Sequence, residues 1–282
     1  GGTGARGVIA AASYEARAFG VRSATSTATA VRLCPDLVIV KPRFEVYRQV
    51  SEQLRAILSR YTELIEPLAL DEAYLDVTQN KLGESAATEV AKQIRRCVQD
   101  ELSLTCSAGV SYNKFLAKTA SDLRKPNGIA VIRPEQALRF LERLPIHRFF
   151  GIGPVTAERM RSLGIQFGFD LKQRSEAELV GWFGKAGHHY YQLVRGIDDR
   201  EVEAHRLRKS IGAERTFAED ISEPNDLIEE VHQLAARVFE LMARSNNFGR
   251  TVTTKIKTAD FETSSRSMTQ ALEFRSLSPL QQ

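Results

Sequence analysis

Residues Leu64–Val77 read LIEPLALDEAYLDV and place two adjacent carboxylates, Asp71 and Glu72, between two stretches with the composition of β-strands. Adjacent side chains of a regular strand point to opposite faces, so the two carboxylates serve one site only if the backbone turns there. The apolar residues on both sides predict a tight hairpin with both carboxylates at its tip. Such a tip is either a solvated charged turn or a site for a hard cation such as Mg²⁺, whose charge offsets the repulsion between the carboxylates.

The overall composition is that of a globular protein with a sizeable core. The chain has 282 residues, of which 43% are hydrophobic, and this length predicts about two domains or several smaller subdomains. No apolar run approaches the ~20 residues that span a bilayer, and no secretory signal opens the sequence, so we expect no membrane association. Three cysteines without CxxC spacing argue against a disulfide framework and favour a cytoplasmic location.

The positive charge is unevenly distributed. The formal net charge is only +4, but basic residues outnumber acidic ones near the start of the chain, which predicts a polyanionic partner. Toward the other end, strand-like segments at Arg206–Ser210 and Arg250–Lys257 are basic, whereas the helix-like segment between them is acidic. This asymmetry predicts a sheet with one basic face, backed by acidic helices.

Four blocks follow one another along the chain. Residues 1–42 contain a strand-like segment at Gly7–Ala10 and short helical patterns, and residues 134–205 contain short helices punctuated by glycine. Residues 206–282 alternate strand, helix, strand and strand. In residues 43–133, helices and strands alternate in the manner of an α/β layer. The elements predicted there, besides the hairpin, are helices from Arg43 toward Tyr61, at Ala86–Glu101 and at Lys114–Leu123, and strands at Leu104–Val110 and Ile129–Ile132.

Residues Phe149–Met160 read FFGIGPVTAERM and contain a Gly-Ile-Gly turn that opens a helix. A turn of this kind leaves backbone N–H groups pointing outward, where they hold a nucleic-acid phosphate without reading a base. A GxG turn alone more often simply connects two helices, but the longer pattern through Leu163–Ile165 is the more specific helix-hairpin-helix signature.

Several motifs occur here in the order seen in Y-family translesion DNA polymerases, and they most resemble the DNA polymerase IV branch. They are SYEARAFGVR (13–22), LDEAYLD (70–76), SAGV (107–110), KFLAK (114–118) and SDLRKPNG (121–128), with KSIGAERTF (209–217) similar to the entry to that family's little-finger domain. The resemblance implies a right-hand polymerase of the mixed α/β (α+β) class. Its fingers would be residues 1–42, its palm 43–133, its helical thumb with the helix-hairpin-helix 134–205, and its little finger, a sheet backed by helices, 206–282.

The resemblance also implies an activity: addition of deoxynucleotides to a primer 3′-end, past damaged template bases, by two-metal phosphoryl transfer. Asp71 and Glu72 would be the catalytic carboxylates and would hold two Mg²⁺ ions, with Asp71 bridging both and Glu72 binding mainly the ion nearest the primer. Tyr14, Arg17 and Lys125 would contact the triphosphate of the incoming nucleotide, because a phenol, a guanidinium and an ammonium all donate to phosphate oxygens.

DNA contacts follow from the same resemblance. Backbone contacts would come from the amides of Gly151 and Gly153 in the thumb, and from Arg208, Lys209, Arg250, Lys255 and Lys257 in the little finger. The implied partners are primer–template DNA, the incoming deoxynucleoside triphosphate and, for the full-length protein, a sliding clamp, with the enzyme acting as a monomer. Asp76 is expected to be structural, while Lys118 and Asp122 either brace the site or lie on a solvated face.

Two departures from the family pattern limit these expectations. Family members begin with a strand that carries a third metal-binding aspartate, whereas this sequence opens at Gly1–Gly4, within the fingers. It also ends at Ser278–Gln282, before the expected last strand and the clamp-binding peptide. We therefore expect this chain to be weakly active or inactive. The missing segments indicate a truncated gene model or a fragment, not an evolved loss of activity.

Two rival functions stay open. One is a non-catalytic DNA-binding scaffold that uses the helix-hairpin-helix and the basic sheet. The other is a different metal-dependent nucleotidyl chemistry, such as cyclisation, against which the thumb motif argues.

Overall fold

The structure, a computed structural model, describes residues 6–205, 208–277 and 280. The chain divides into two compact units, one of residues 44–206 and one of residues 1–43 with 207–282. Parts of three sequence predictions lie outside the described residues: the opening Gly1–Gly4, the first two residues of the strand predicted at 206–210, and most of the closing 278–282.

The smaller unit begins with two short helices, α1 (Tyr14–Ala18) and α2 (Thr27–Leu33). Each has a serine at its N-cap, Ser13 and Ser26, whose hydroxyl accepts a backbone amide of the first turn. A small core of Ile9, Ala16, Val21 and Ala30 packs beneath them. The strand predicted at 7–10 is wrong, because only an isolated bridge between Val8 and Ser26 forms there.

The larger unit contains most of the regular structure. Its elements are α3 (Phe44–Leu58), β1 (Ile65–Pro67), β2 (Ala73–Leu75), α4 (Ala87–Leu102), β3 (Ala108–Val110), α5 (Lys114–Leu123), β4 (Ile129–Val131), α6 (Pro134–Arg143), α7 (Pro154–Ser162), α8 (Gly168–Lys172), α9 (Glu176–Phe183) and α10 (Lys185–Leu193), with a single 3₁₀ turn at Ile146–Arg148. The mixed α/β class predicted from the sequence is confirmed, and so are the three predicted helices, to within a few residues at their ends.

The strands of this unit form two short pairs. β1 and β2 pair antiparallel with Glu66 opposite Tyr74, while β3 and β4 pair parallel with Gly109 opposite Ala130. The strand predicted from Leu104 begins only at Ala108, where pairing with β4 starts. The prediction therefore placed the start of this strand too early.

Helix α5 lies directly against β3. A Cβ atom at Gly109 would come 1.9 Å from the carbonyl oxygen of Ala117 and 2.3 Å from the amide nitrogen of Ser121. Only glycine permits this approach of two backbones. Phe115 and Leu116, near the start of α5, are fully buried in the main core of the unit.

The main core joins α5 to the helices that follow it. Leu141, Phe149, Met160 and Leu193, from successive parts of residues 134–194, are buried in the same cluster as Phe115. A second cluster packs α3 against α4 through residues including Ile57 and Val90. Helix α5 is therefore anchored in the main core, while α3 and α4 pack against each other through a separate cluster.

The smaller unit continues with α11 (Pro224–Ser245), β5 (Thr251–Lys257) and β6 (Thr263–Thr269). β5 and β6 pair antiparallel along their whole length, from Thr251 opposite Thr269 to Lys257 opposite Thr263. The first strand predicted for this block is wrong over residues 208–210, which have no regular structure. Of the helices in the described residues, none is long and apolar enough to cross a membrane.

Candidate active site

The acidic turn is the segment Leu68–Glu72, which joins β1 to β2. The carbonyl oxygen of Glu72 accepts the amides of Leu68 at 2.9 Å and of Ala69 at 3.3 Å, and these bonds close the turn. The backbone thus reverses where the carboxylates stand. The predicted hairpin is confirmed, and Asp71 and Glu72 lie at its tip.

The two carboxylates of the acidic turn differ in their contacts. Lys118 Nζ donates to Glu72 Oε1 at 2.8 Å, and the Lys118 side chain is 13% exposed against 39% for Glu72. Lys118 Nζ also lies 5.6 Å from the centre of the Phe150 ring. The exposed carboxylate of Asp71 has no hydrogen-bond or ion-pair partner in the part of the chain that the structure describes. Glu72 is therefore held through one oxygen, while Asp71 is open to a ligand.

The start of α5 is fixed by a cap. The side-chain oxygen of Asn113 accepts the amide of Leu116 at 2.9 Å, and its Nδ2 donates to the carbonyl of Gly196 at 2.9 Å. Because the helix begins at Lys114, Lys118 stands one turn further along the same face. This face presents both ammonium groups to the hairpin.

A buried ion pair lies one helical turn before Lys118. The ammonium of Lys114 pairs with the carboxylate of Glu66 on β1, and their side chains are only 10% and 7% exposed. Lys114 Nζ also donates to the carbonyl of Glu201 at 2.9 Å, and the amide of Glu203 donates to Glu66 Oε2 at 2.9 Å. This network ties β1, α5 and the segment after α10 together beneath the acidic turn.

The segment after α10 is also held by Asp198. Its carboxylate accepts the amide of Phe115 at 2.9 Å and two bonds from the Arg200 guanidinium at 2.6 and 2.9 Å. Burial by itself raises the pKa of Asp198, but the hydrogen bonds and charge of Arg200, with the amide of Phe115, outweigh it, so the pKa lies below its ordinary value. The aspartate is thus kept ionised at the N-terminus of α5.

Asp76 has a local role. It follows β2 directly instead of lying within it, and its Oδ1 accepts the amide of Thr78 at 2.9 Å. Its carbonyl oxygen accepts the hydroxyl of Thr62 at 2.7 Å. These bonds fix the chain as it leaves the hairpin, which agrees with a structural residue.

The acidic turn suits a hard cation in donor type. Asp71 offers an unpaired carboxylate, and Glu72 offers the oxygen that Lys118 does not bind. Carboxylate oxygens are the ligands that Mg²⁺ prefers in proteins. Over residues 6–205, 208–277 and 280, no group of three or more His, Cys, Asp or Glu side chains is placed to hold a metal ion. The turn therefore fits a metal site to which it contributes two carboxylates.

Tyr14 and Arg17 lie together on α1. The guanidinium carbon of Arg17 is 5.0 Å from the centre of the Tyr14 ring, and Arg17 Nε donates to the carbonyl of Ala12 at 3.0 Å. Both side chains are exposed. The helix therefore presents a phenol and a guanidinium side by side, as donors for an anion.

Lys125 follows α5, in the loop before β4. Its Nζ pairs with Asp122 Oδ1 at 2.7 Å, and both side chains are accessible to solvent. A phosphate group would compete with Asp122 for this ammonium. Asp122 therefore contacts Lys125, the residue predicted to bind the triphosphate, and not the acidic turn.

The Gly-Ile-Gly turn lies between the 3₁₀ turn and α7. Gly151 has φ +95°, a left-handed conformation that favours glycine, and Gly153 caps α7 with Pro154 at its first position. Within the described ranges, the amides of Gly151, Gly153 and Val155 make no backbone hydrogen bond. The turn therefore exposes a cluster of unpaired donors at a helix N-terminus.

The β5–β6 hairpin has one polar face that carries lysines. Lys255 and Lys257 share a face because strand residues two apart point the same way. On that face Thr251 bonds Thr269 and Thr253 bonds Ser267, each at 2.8 Å. Arg208, Lys209 and Arg250 lie outside these strands, and all five predicted DNA-contacting cations are exposed.

Sequence reasoning missed the network beneath the turn. Lys114 and Glu66 were not singled out, although Lys114 stands four residues before Lys118 in one motif. That spacing places both lysines on one helix face and was the available signal. The partner Glu66 lies far away in the sequence, and its contact with Lys114 is a product of the tertiary fold.

Comparison with known proteins gives consistent matches. Residues 1–122 match the impB/mucB/samB family, and residues 208–278 match the C-terminal domain of that family. The chain is 53% identical over 272 residues to DNA polymerase IV 2 of Agrobacterium fabrum, covering 96% of this chain and 76% of that protein.

Solved structures also match along the whole chain. A Y-family DNA polymerase chimera of Dbh and Dpo4 superposes with a TM-score of 0.89 at 29% identity, covering 99% of this chain and 80% of that one. The insertion ternary complex of Dbh DNA polymerase superposes with a TM-score of 0.70 at 28% identity, covering 100% of this chain and 81% of that one.

Proposed function

This chain belongs to the DNA polymerase IV branch of the Y-family translesion polymerases, which are DNA-directed DNA polymerases, and on that premise we propose that it extends a primer 3′-end opposite damaged template bases with Asp71 and Glu72 as its catalytic carboxylates. The observation that supports this assignment is the hairpin tip, where one carboxylate is unpaired and its neighbour is held by Lys118. A solvated charged turn would not need a nearly buried lysine behind it.

Members of this family use divalent metal ions, and we assign two Mg²⁺ ions to the acidic turn. When bound, such ions lower the pKa of the attacking hydroxyl and stabilise charge on the attacking and leaving oxygens. Asp71 would hold both ions and Glu72 mainly the one nearest the primer. The chain's own task at this site is to keep the two carboxylates together and oriented.

The incoming nucleotide would be bound through its triphosphate by Tyr14, Arg17 and Lys125. Exposed side chains and the adjacency of Tyr14 and Arg17 on α1 support the first two assignments. For Lys125, the support is its accessible ammonium, which pairs with a carboxylate oxygen of Asp122 and could donate to a phosphate oxygen instead. Hydrogen bonds to an ionised phosphate are strong, so each of these groups would donate to a phosphate oxygen of the nucleotide.

DNA would be bound along its backbone and not through its bases. The unpaired amides of Gly151 and Gly153 would take one phosphate, while Lys255 and Lys257, with Arg208, Lys209 and Arg250, would contact others. The proposed partners are thus primer–template DNA and a deoxynucleoside triphosphate. A sliding clamp for the full-length protein, a monomeric state and a cytoplasmic location complete the proposal.

Primer extension with Mg²⁺ tests the catalytic assignment. Enzyme in excess over primer allows slow extension to be measured in a single turnover. Asp71→Asn and Glu72→Gln should each lower the extension rate by at least ~100-fold, since a two-metal site depends on charged ligands. Asp76→Asn is the matched control, a nearby aspartate outside the site, and should keep extension in the folded protein.

Two outcomes would count against the proposal. Extension that survives Asp71→Asn would remove the acidic turn from the chemistry. Tight binding of primer–template without any extension by the full-length protein would favour the alternative, a non-catalytic DNA-binding scaffold that uses the helix-hairpin-helix and the basic little-finger sheet.

Gly153→Ala tests the thumb contact. Gly153 has no atom within 4 Å of an added Cβ and an ordinary φ of −76°, so the free protein should tolerate alanine. A phosphate seated on the amides would meet the new methyl group, so we expect about tenfold weaker primer–template binding by fluorescence anisotropy. Gly181→Ala, equally open but on α9, should leave binding unchanged. Equal affinities of all three proteins would refute the contact.

A further inference from the structure

We propose that Lys118 is a positioning residue of the acidic turn, which holds Glu72 through one oxygen and limits how tightly the turn binds a divalent cation. The inference rests on the proposed function, in which Asp71 and Glu72 bind metal. In this inference, the affinity of the acidic turn for a cation depends on a residue of α5 as well as on the two carboxylates.

The placement of Lys118 supports a specific role. Lysine side chains are long and usually solvated, yet this one is 13% exposed and reaches Glu72 Oε1 at 2.8 Å. Its ammonium also lies 5.6 Å from the centre of the Phe150 ring, a position favourable for a cation. The side chain therefore has little freedom to move away from the turn.

The difference between the two carboxylates indicates what Lys118 does. Adjacent carboxylates repel each other, and a nearby cation reduces that repulsion. Lys118 supplies this charge to Glu72, whereas Asp71 has no partner among the described residues. The turn is thus held in a shape that presents Asp71 and one oxygen of Glu72 before any metal ion arrives.

The same charge must oppose a metal ion. A fixed ammonium beside the site repels an incoming divalent cation and competes with it for Glu72. Removal of the charge should therefore tighten cation binding, by about three- to tenfold when screening by solvent is included. A lysine that only braced the fold would have the opposite effect, because its loss would loosen the turn and weaken binding.

Helix α5 itself shows the contrast between the two roles. Lys114, one turn earlier, is enclosed with Glu66 and bonded to the carbonyl of Glu201. It lies beneath the hairpin strands instead of at the tip. Of the two lysines, only Lys118 contacts a proposed metal ligand.

Direct Mn²⁺ binding to the full chain, measured by the electron paramagnetic resonance signal of free Mn²⁺ without DNA, tests the inference. Lys118→Met should bind Mn²⁺ three- to tenfold more tightly than the unchanged chain, and Lys118→Arg should stay within about twofold because it keeps the charge. Lys118→Gln, which removes the charge but keeps a hydrogen-bond donor, should also tighten binding and serves if the methionine variant folds poorly. Lys172→Met is the control, since Lys172 forms a comparable pair with Glu142 at 2.7 Å on other elements.

Two results separate the possible failures. If Asp71→Asn leaves Mn²⁺ affinity unchanged, the proposed metal site itself is wrong. If Asp71→Asn weakens binding but both Lys118→Met and Lys118→Gln bind Mn²⁺ equally well or more weakly than the unchanged chain, the metal site stands and the role of Lys118 is refuted.

Discussion

Lys114→Met should be among the most destabilising single substitutions in the larger unit. The lysine and its partner Glu66 are 10% and 7% exposed, so the substitution removes the ion-pair partner of a buried carboxylate that the amide of Glu203 also contacts. Removing one member of a buried ion pair costs about 3–5 kcal/mol. The bond from Lys114 to the carbonyl of Glu201 is lost as well. We therefore expect the free energy of unfolding to fall by about 4 kcal/mol.

The double variant Lys114→Met/Glu66→Gln separates the two parts of this cost. Glutamine keeps an oxygen that accepts the Glu203 amide but removes the buried charge. Most of the loss should then be recovered, because replacing both members of a buried pair is often nearly neutral. We expect the double variant to lie within about 2 kcal/mol of the unchanged protein.

Urea unfolding followed by Trp182 fluorescence is the assay. Trp182 is the single tryptophan of the chain, lies on α9 in the larger unit and packs against its main core. Its emission therefore reports on the unit that contains the ion pair, and linear extrapolation gives the free energy of unfolding. The control Lys172→Met breaks a pair that is 31% and 33% exposed, so it should cost less than about 1 kcal/mol.

The reasoning would be refuted by either of two results. A loss of less than about 1 kcal/mol in Lys114→Met would mean that the pair is not enclosed as the structure has it. A double variant as unstable as the sum of its single substitutions would mean that the two side chains are not coupled.

Three further substitutions test the surroundings of the site. Gly109→Ala should cost about 3 kcal/mol or more in urea unfolding, because its Cβ would lie 1.9 Å from the carbonyl of Ala117 and force α5 away from β3. Tyr74→Phe should raise stability by about 1 kcal/mol, since its buried hydroxyl has no partner among the described residues and burial raises the pKa of Tyr74 to about 12; a loss of stability would contradict this. Asp198→Asn should destabilise the protein at pH 7. Because the pKa of Asp198 is lowered in the folded state, its contribution to stability is present above the ordinary pKa near 4 and is lost as the pH falls further. In urea titrations, the difference in stability from the unchanged protein should therefore shrink below about pH 4. A difference that stayed constant down to the acid end would show that the Asp198 charge does not contribute.

Helix α5 shows where the sequence was sufficient. It was predicted at Lys114–Leu123, and the structure gives the same bounds. The signals are local: Asn113 caps the first turn, and the Pro-Asn-Gly segment at 126–128 prevents continuation. The acidic hairpin was predictable for a similar reason, since two short apolar stretches flank a charged tip. The bounds of elements that depend on neighbouring residues in the sequence can therefore be predicted without knowledge of the tertiary fold.

The strands show where sequence was insufficient. Strands were predicted at Leu104–Val110 and Arg206–Ser210, yet the first pairs only from Ala108 and residues 208–210 of the second have no regular structure. Strand formation depends on a partner, and composition does not contain that information. The same holds for Glu66, because its partner Lys114 lies far along the chain and the contact between them depends on the tertiary packing of α5.

The two lysines of α5 explain how a short hairpin becomes a defined site. Three-residue strands at 65–67 and 73–75 form a pair too short to be stable by itself. Lys114 fixes the base of that pair through Glu66, and Lys118 fixes its tip through Glu72. Because both lysines project from one rigid helix face, the distance between the two attachment points is set by the helical rise and not by the turn. A change that shifts α5 along its axis should therefore disturb the acidic turn more than a change within the turn at Leu70, which is exposed and lies between the attachment points.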